Sequence, residues 1–201
     1  MSLIAEEGNK GTNFEPVAEG MHDAVCVWVV DIGEQYSQYY DKYQNKVIIT
    51  WEIPGETIEI DGVELPRVIS NTYTVSLGDK ANLRKDLQSW RGKSFTQKEL
   101  AGFDISNLRG VPAMLQVIHK VDGDKTYANI TSVLPLKKKI KPITETVVFD
   151  IDEWDRDEGS LPEALPEWIT KKVMESSQAN SATSESDPVG GEVEDASDVP
   201  F

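Results

Sequence analysis

The chain is poor in the residues that build covalent and metal chemistry. Its single cysteine, Cys26, has no internal partner for a disulfide, as suits a reducing compartment. No apolar run approaches the roughly 20 residues needed to span a bilayer, which argues against a membrane protein. The opening residues, MSLIAEEGNKGTNFEP, lack the basic start and apolar stretch of a secretion signal, so the expected location is the cytoplasm. There is no glycine-rich phosphate loop and no Ser or Cys in a nucleophile motif. His22 and Cys26 share a face of a presumed strand and His119 lies far along the chain, a spacing unlike that of zinc sites. These residues read as structural. The run FDIDEWDRDE could hold a divalent metal, but a solvated acidic linker is the commoner meaning of such a run. The expectation is therefore no enzyme, no cofactor and no metal.

Positive charge is scarce overall, with a net charge of -15, which on its own argues against a nucleic-acid partner. The average conceals a division. Up to Lys141 there are 17 Lys and Arg against 19 Asp and Glu, whereas from Pro142 onward there are 3 against 16. The acidity belongs to the C-terminal segment, and the segment before it is near neutral.

At 201 residues the chain is long enough for one ordinary domain plus extensions. In DAVCVWVVDI, Ala24, Cys26, Trp28 and Val30 fall on one face and Val25, Val27 and Val29 on the other, the pattern of a strand buried on both sides. NKVIITWEI alternates as a second strand. Asp61-Gly62 marks a tight turn between two short alternating runs, and VISNTYTVSL reads as a third strand. Leu83, Leu87 and Trp90 then recur at helical spacing, with Asp79 as the expected N-cap and Gly92 as the stop. Two more strands follow around Asp122-Gly123. Three strands, a helix and two strands is the element order of an OB-fold, a five-stranded Greek-key barrel of the all-β class. ITETVVFDIDEW could add an edge strand, and LPEALPEWITKKVMESS a short helix. From about Ser176 the composition offers too little apolar surface to offset chain entropy, so disorder is expected. The expected organisation is a lead-in at 1–16, the OB domain at 17–141, an extension at 142–175 and an acidic tail at 176–201.

The aromatic residues carry the functional signal. YSQYYDKYQNK sets Tyr36, Tyr39, Tyr40 and Tyr43 beside Lys42 and Lys46 in the connection between the first two strands. In an OB-fold that connection borders the ligand groove. Single-stranded nucleic acid wants flat aromatic faces for unstacked bases and cations for the backbone. Trp51, Tyr73 and Tyr127 are secondary stacking candidates, and Trp51 fits the core equally well because it shares a face with Val47, Ile49 and Ile53. Lys120 and Lys125 flank the second Asp-Gly turn, where they could track phosphates. Lys137, Lys138, Lys139 and Lys141 could do the same, or form a solvated strand end.

The chain ends EDASDVPF, an acidic stretch finishing on its most hydrophobic side chain. That end resembles the C-terminal tip of bacterial single-stranded DNA-binding proteins. GMHDAVCVWVVDIG, KVIITWEI, DKANLRKDLQSWRGKSFT and LPEWITKKV resemble their phage-encoded relatives, over roughly Phe14 to Val173 plus the tip. The resemblance implies sequence-independent coating of single-stranded DNA during phage replication or recombination, in the cytoplasm of a bacterial host. It also implies a docking peptide for replication, recombination or repair enzymes. Phe201 would be its anchor, Val199 and Pro200 would shape the approach, and Asp195 and Asp198 would supply the charge. A buried terminal aromatic can dominate a small interface. A homo-oligomer is compatible with the resemblance. Two rival readings are an acidic DNA mimic that inhibits a nucleic-acid enzyme and a metal-dependent nuclease using FDIDEWDRDE.

Overall fold

A strand that is apolar on both sides needs a covering layer on each, and the architecture supplies two. The computed structural model describes residues 15–60, 62–154 and 159–181. Strand β1 (Gly20–Ser37) pairs antiparallel with β2 (Lys42–Ile60), which pairs antiparallel with β3 (Val63–Thr74). After β3 come helix α1 (Asn82–Arg91), helix α2 (Gln97–Ala101) and a 3-10 turn at Ile105–Leu108. β4 (Pro112–Asp122) and β5 (Lys125–Pro135) form a second hairpin. The short β6 (Val147–Phe149) lies parallel to β1, and α3 (Glu167–Met174) and α4 (Ser177–Ser181) follow. The protein is thus mostly β, with a six-stranded and largely antiparallel sheet in the order β3-β2-β1-β4-β5 and β6 against β1.

β1 is the shared member. Its first part, Gly20 to Val25, pairs with β4, while Val25 to Ser37 pairs with β2 and Trp28 to Val30 with β6. A register shift between Cys26 and Trp28 interrupts the alternation. A bulge of this kind puts two residues opposite one and exchanges the faces beyond it. Ala24, Cys26 and Val29 accordingly join one core, with Ile49, Trp51, Leu115 and the α1 residues Leu83, Leu87 and Trp90. Val25, Val27, Trp28 and Val30 join the other, with Ile48, Val147, Phe149, Ile169 and Val173. The expected grouping of Trp28 and Val30 with Ala24 and Cys26 is therefore wrong, because strict alternation does not survive the bulge.

The C-terminal extension is fastened by polar contacts as well as by burial. Glu52 is fully buried on β2 and its carboxylate accepts the backbone N–H groups of Ile143 and Thr144 at 2.6–3.1 Å. Trp28 Nε1 donates to the Glu145 carbonyl at 2.9 Å. Farther on, the Glu34 N–H donates to Gln178 Oε1, Ser177 Oγ donates to Glu34, and Gln35 Nε2 donates to the Lys172 carbonyl. Ser176 is fully buried and α4 follows it, so order continues to Ser181, past the point where composition predicted it to stop. Packing against β1 compensates for the weak local composition. The remainder of the tail lies outside the described residues.

At the other end, Gly92 closes α1 in the left-handed conformation (φ 65°), its N–H reaching back to the last turn, as its sequence position predicts. The expected cap does not form. Asp79 instead pairs with Arg84 at 2.5 Å, and the cap position is Ala81, whose side chain accepts nothing.

Two outcomes follow. Burial pushes the Cys26 thiol well above its ordinary pKa, so an aromatic disulfide reagent at neutral pH should leave the native thiol intact and titrate one equivalent in denaturant. Gly33 has φ 65°, and a Cβ there would lie 2.6 Å from Gln178 Oε1 and 2.9 Å from both Ile151 Cδ1 and Ser176 Cβ. Gly33→Ala should therefore destabilise the fold by about 1–3 kcal/mol in urea titration, with backbone amides of α3 and α4 exchanging faster.

Candidate nucleic-acid interface

Pairing of β1 with β2 continues to Ser37↔Lys42, so the tyrosine segment is the tip of a long hairpin rather than a loop. Tyr36 and Tyr43 face each other across the ladder with ring centroids 5.4 Å apart. Tyr39 and Tyr40 sit in the turn, edge to face at 4.8 Å. Asp41 supports the turn with a left-handed backbone (φ 49°) and accepts the Tyr36 hydroxyl, which holds that phenol above its ordinary pKa. The four tyrosine residues are 52%, 87%, 59% and 57% exposed in chain order. Rings of this size at such exposure leave apolar faces in water, where a flat apolar ligand would cover them.

Cations accompany the rings. Lys42 Nζ stands 5.8 Å from the Tyr40 centroid, within cation–π range. Lys46 donates to Gln44 Oε1 at 2.9 Å and to Thr74 Oγ1 at 2.7 Å, and partial burial lowers its pKa. Tyr40, Gln44 and Lys46 line an open groove of about 720 Å³ together with Thr72 and Thr74 on the paired strand and residues of the 76–82 connection. Of the four hairpin rings Tyr40 borders this groove, beside amide, hydroxyl and ammonium groups.

The other candidates divide. Trp51 is buried against Trp90 at 5.5 Å. Tyr73 is buried too, its hydroxyl donating to Asp86 at 2.9 Å. Both are corrected to core residues, packed with Leu83, Leu87 and Trp90 of α1; Tyr73 borders the groove but is only 3% exposed, too little to present a ring face to a base. Lys120, Lys125 and Tyr127 are exposed on the β4–β5 hairpin, Lys120 directly opposite Tyr127. They line neither wall of the tyrosine groove. Their neighbour Ala128 instead borders a second, apolar groove of about 740 Å³ with Ile58, Ile60, Leu65, Val68 and Ile143. Lys46 and Ile58 are separated along β2 by about 40 Å of extended chain at ~3.3 Å per residue, so the two clusters belong to different ends of the sheet. Lys137, Lys139 and Lys141 are exposed, and Lys138 pairs with Asp23 at 3.0 Å.

Sequence reasoning missed Gln44, Thr72, Thr74 and Lys80 as groove residues. Period-2 alternation placing Gln44, Lys46, Thr72 and Thr74 on polar faces was the available signal. His22 Nε2 lies 2.8 Å from the Ala18 carbonyl and His119 Nε2 2.8 Å from the Val17 carbonyl. Both rings tie down the entry to β1. Among the described residues there is no cluster of three or more His, Cys, Asp or Glu able to hold a metal, and no helix long and apolar enough to cross a membrane. Part of FDIDEWDRDE, residues 155–158, lies outside the described residues, as do Asp195, Asp198, Val199, Pro200 and Phe201. Compared with protein-family models and with curated proteins, the chain matches none.

Because Tyr73 serves the core, Tyr73→Phe should cost about 1–2 kcal/mol in urea titration through the lost bond to a half-buried carboxylate. Its binding of oligo-dT, followed by fluorescence anisotropy, should remain that of the unsubstituted chain.

Proposed function

We propose that the protein binds single-stranded DNA without sequence preference, through the tyrosine-tipped β1–β2 hairpin and the groove at its base. The observation that carries this reading is the set of four exposed tyrosines on one hairpin, flanked by Lys42 and Lys46. Unstacked bases can lie on tyrosine faces irrespective of their identity, each contributing about 1–3 kcal/mol. The ammonium groups meet the phosphates between them.

The same proposal takes the architecture to be an OB-fold. The strand order with a shared β1, and helices between β3 and β4, agree with that barrel, in which the β1–β2 connection borders the ligand groove. Coating of single strands during phage replication or recombination follows from the resemblance of the sequence, as does recruitment of partner enzymes by Asp195 to Phe201. In this reading the protein performs no catalysis, because binding and protection need only contact.

Anisotropy titration of labelled oligo-dT and of a matched duplex, at low and moderate salt, tests the proposal. Single-strand affinity should fall by about 0.7 log units per tenfold rise in salt for each phosphate neutralised. Tyr40→Ala should weaken binding by about 1–3 kcal/mol while leaving the fold intact. Preference for the duplex, or affinity indifferent to salt, would sink the reading. Failure to bind either nucleic acid would favour an acidic protein that imitates DNA.

A further inference from the structure

Lys80 lines the tyrosine groove and also a second polar groove of about 670 Å³ along α1, and Asp79, Ala81 and Asn82 are common to both. The two depressions therefore meet. The floor of the second is the face of α1 bearing Lys85, Gln88 and Ser89, continued by Gly92 and Lys93. These positions recur at three- and four-residue spacing on one side of the helix, opposite the buried Leu83, Leu87 and Trp90. Lys80, Lys85 and Lys93 are exposed, and none has an ion-pair partner within 4.0 Å among the described residues. Of the nearby acids, Asp79 pairs with Arg84, and the half-buried Asp86 accepts the Tyr73 hydroxyl while feeling the Lys85 charge from beyond ion-pair distance.

We infer that this lysine-lined face of α1 is a phosphodiester track that continues the tyrosine groove, so that a strand leaving Tyr40 and Lys46 passes Lys80 and runs along α1 past Lys85 to Lys93. The inference rests on the single-strand-binding reading above. The two ends of the path divide the labour chemically. The hairpin carries aromatic faces and grips bases, whereas the α1 face carries ammonium and amide groups without an aromatic ring and holds backbone alone. A short strand would fill the hairpin end, and only a longer one would reach the helix.

The test compares the full chain with the double variant Lys85→Gln, Lys93→Gln, which spares the tyrosine groove, using dT oligomers of about 5 and about 15 nucleotides, within the span one OB-fold covers. Two phosphate contacts at ~0.7 log units each per tenfold salt predict roughly 25-fold weaker binding of the long oligomer at ~0.1 M salt. The salt slope for that oligomer should be shallower by about 1.4, while affinity for the short oligomer stays unchanged. Long-oligomer binding equal to that of the unsubstituted chain overturns the track. Equal weakening at both lengths also overturns it, since that is the signature of lost bulk charge. If the unsubstituted chain binds neither oligomer, the single-strand reading itself fails, and the track with it.

Discussion

Everything else in the molecule depends on β1 being one strand with two interiors. Val25, Cys26, Val27 and Val30 are fully buried although they face opposite ways. No single layer could cover them all. The bulge between Cys26 and Trp28 reconciles the demands: it lets β1 leave β4 and take up β6, and it turns the Trp28 indole outward onto the extension. Glu52 fits the same logic from the neighbouring strand. A carboxylate with no exposed surface persists because it accepts backbone N–H groups from the segment that buries it, so each side satisfies what the other would leave unpaired.

The polar end of the sheet reflects a different economy of charge. In a chain this acidic, the lysines that stay free of carboxylates stand out. Around the tyrosine hairpin, the β3–α1 connection and α1, the acids hold local partners: Asp41 accepts a phenol, Asp79 pairs with a guanidinium and Asp86 accepts a second phenol. Only the guanidinium offsets charge, since a phenol leaves its carboxylate ionised, and what sets Lys80, Lys85 and Lys93 apart is the lack of an ion pair within 4.0 Å among the described residues, which a global charge count does not reveal. The edge-to-face ring pairs also keep the hairpin tip compact while leaving ring surface in water, a state ready for a stacking partner.

The sequence made local order legible and kept long-range order hidden. Alternation located β1 to β5, the Asp122-Gly123 pair located the second hairpin, and Leu83, Leu87 and Trp90 located the buried face of α1, because each signal is confined to one element. The bulge at Cys26 was invisible, since it is defined by a partner strand. Trp51 and Tyr73 could not be assigned a side of the sheet until the position of α1 was known. The groove residues Gln44, Thr72 and Thr74 come from different strands and become neighbours only through the β2–β3 register. Ser176 to Ser181 looked too polar to be ordered, and only β1 explains why they are.

The parallel pairing of Val147 to Phe149 with Trp28 to Val30 has a consequence for the order in which the molecule can be completed. During synthesis β1 emerges well before the covering for its second face, which is encoded more than a hundred residues later. Contacts so distant along the chain close late and slowly. A growing chain must therefore carry a sticky, unsatisfied strand until the extension arrives. That interval is when aggregation or chaperone capture competes with folding, and cutting the chain after Lys141 would make the interval permanent.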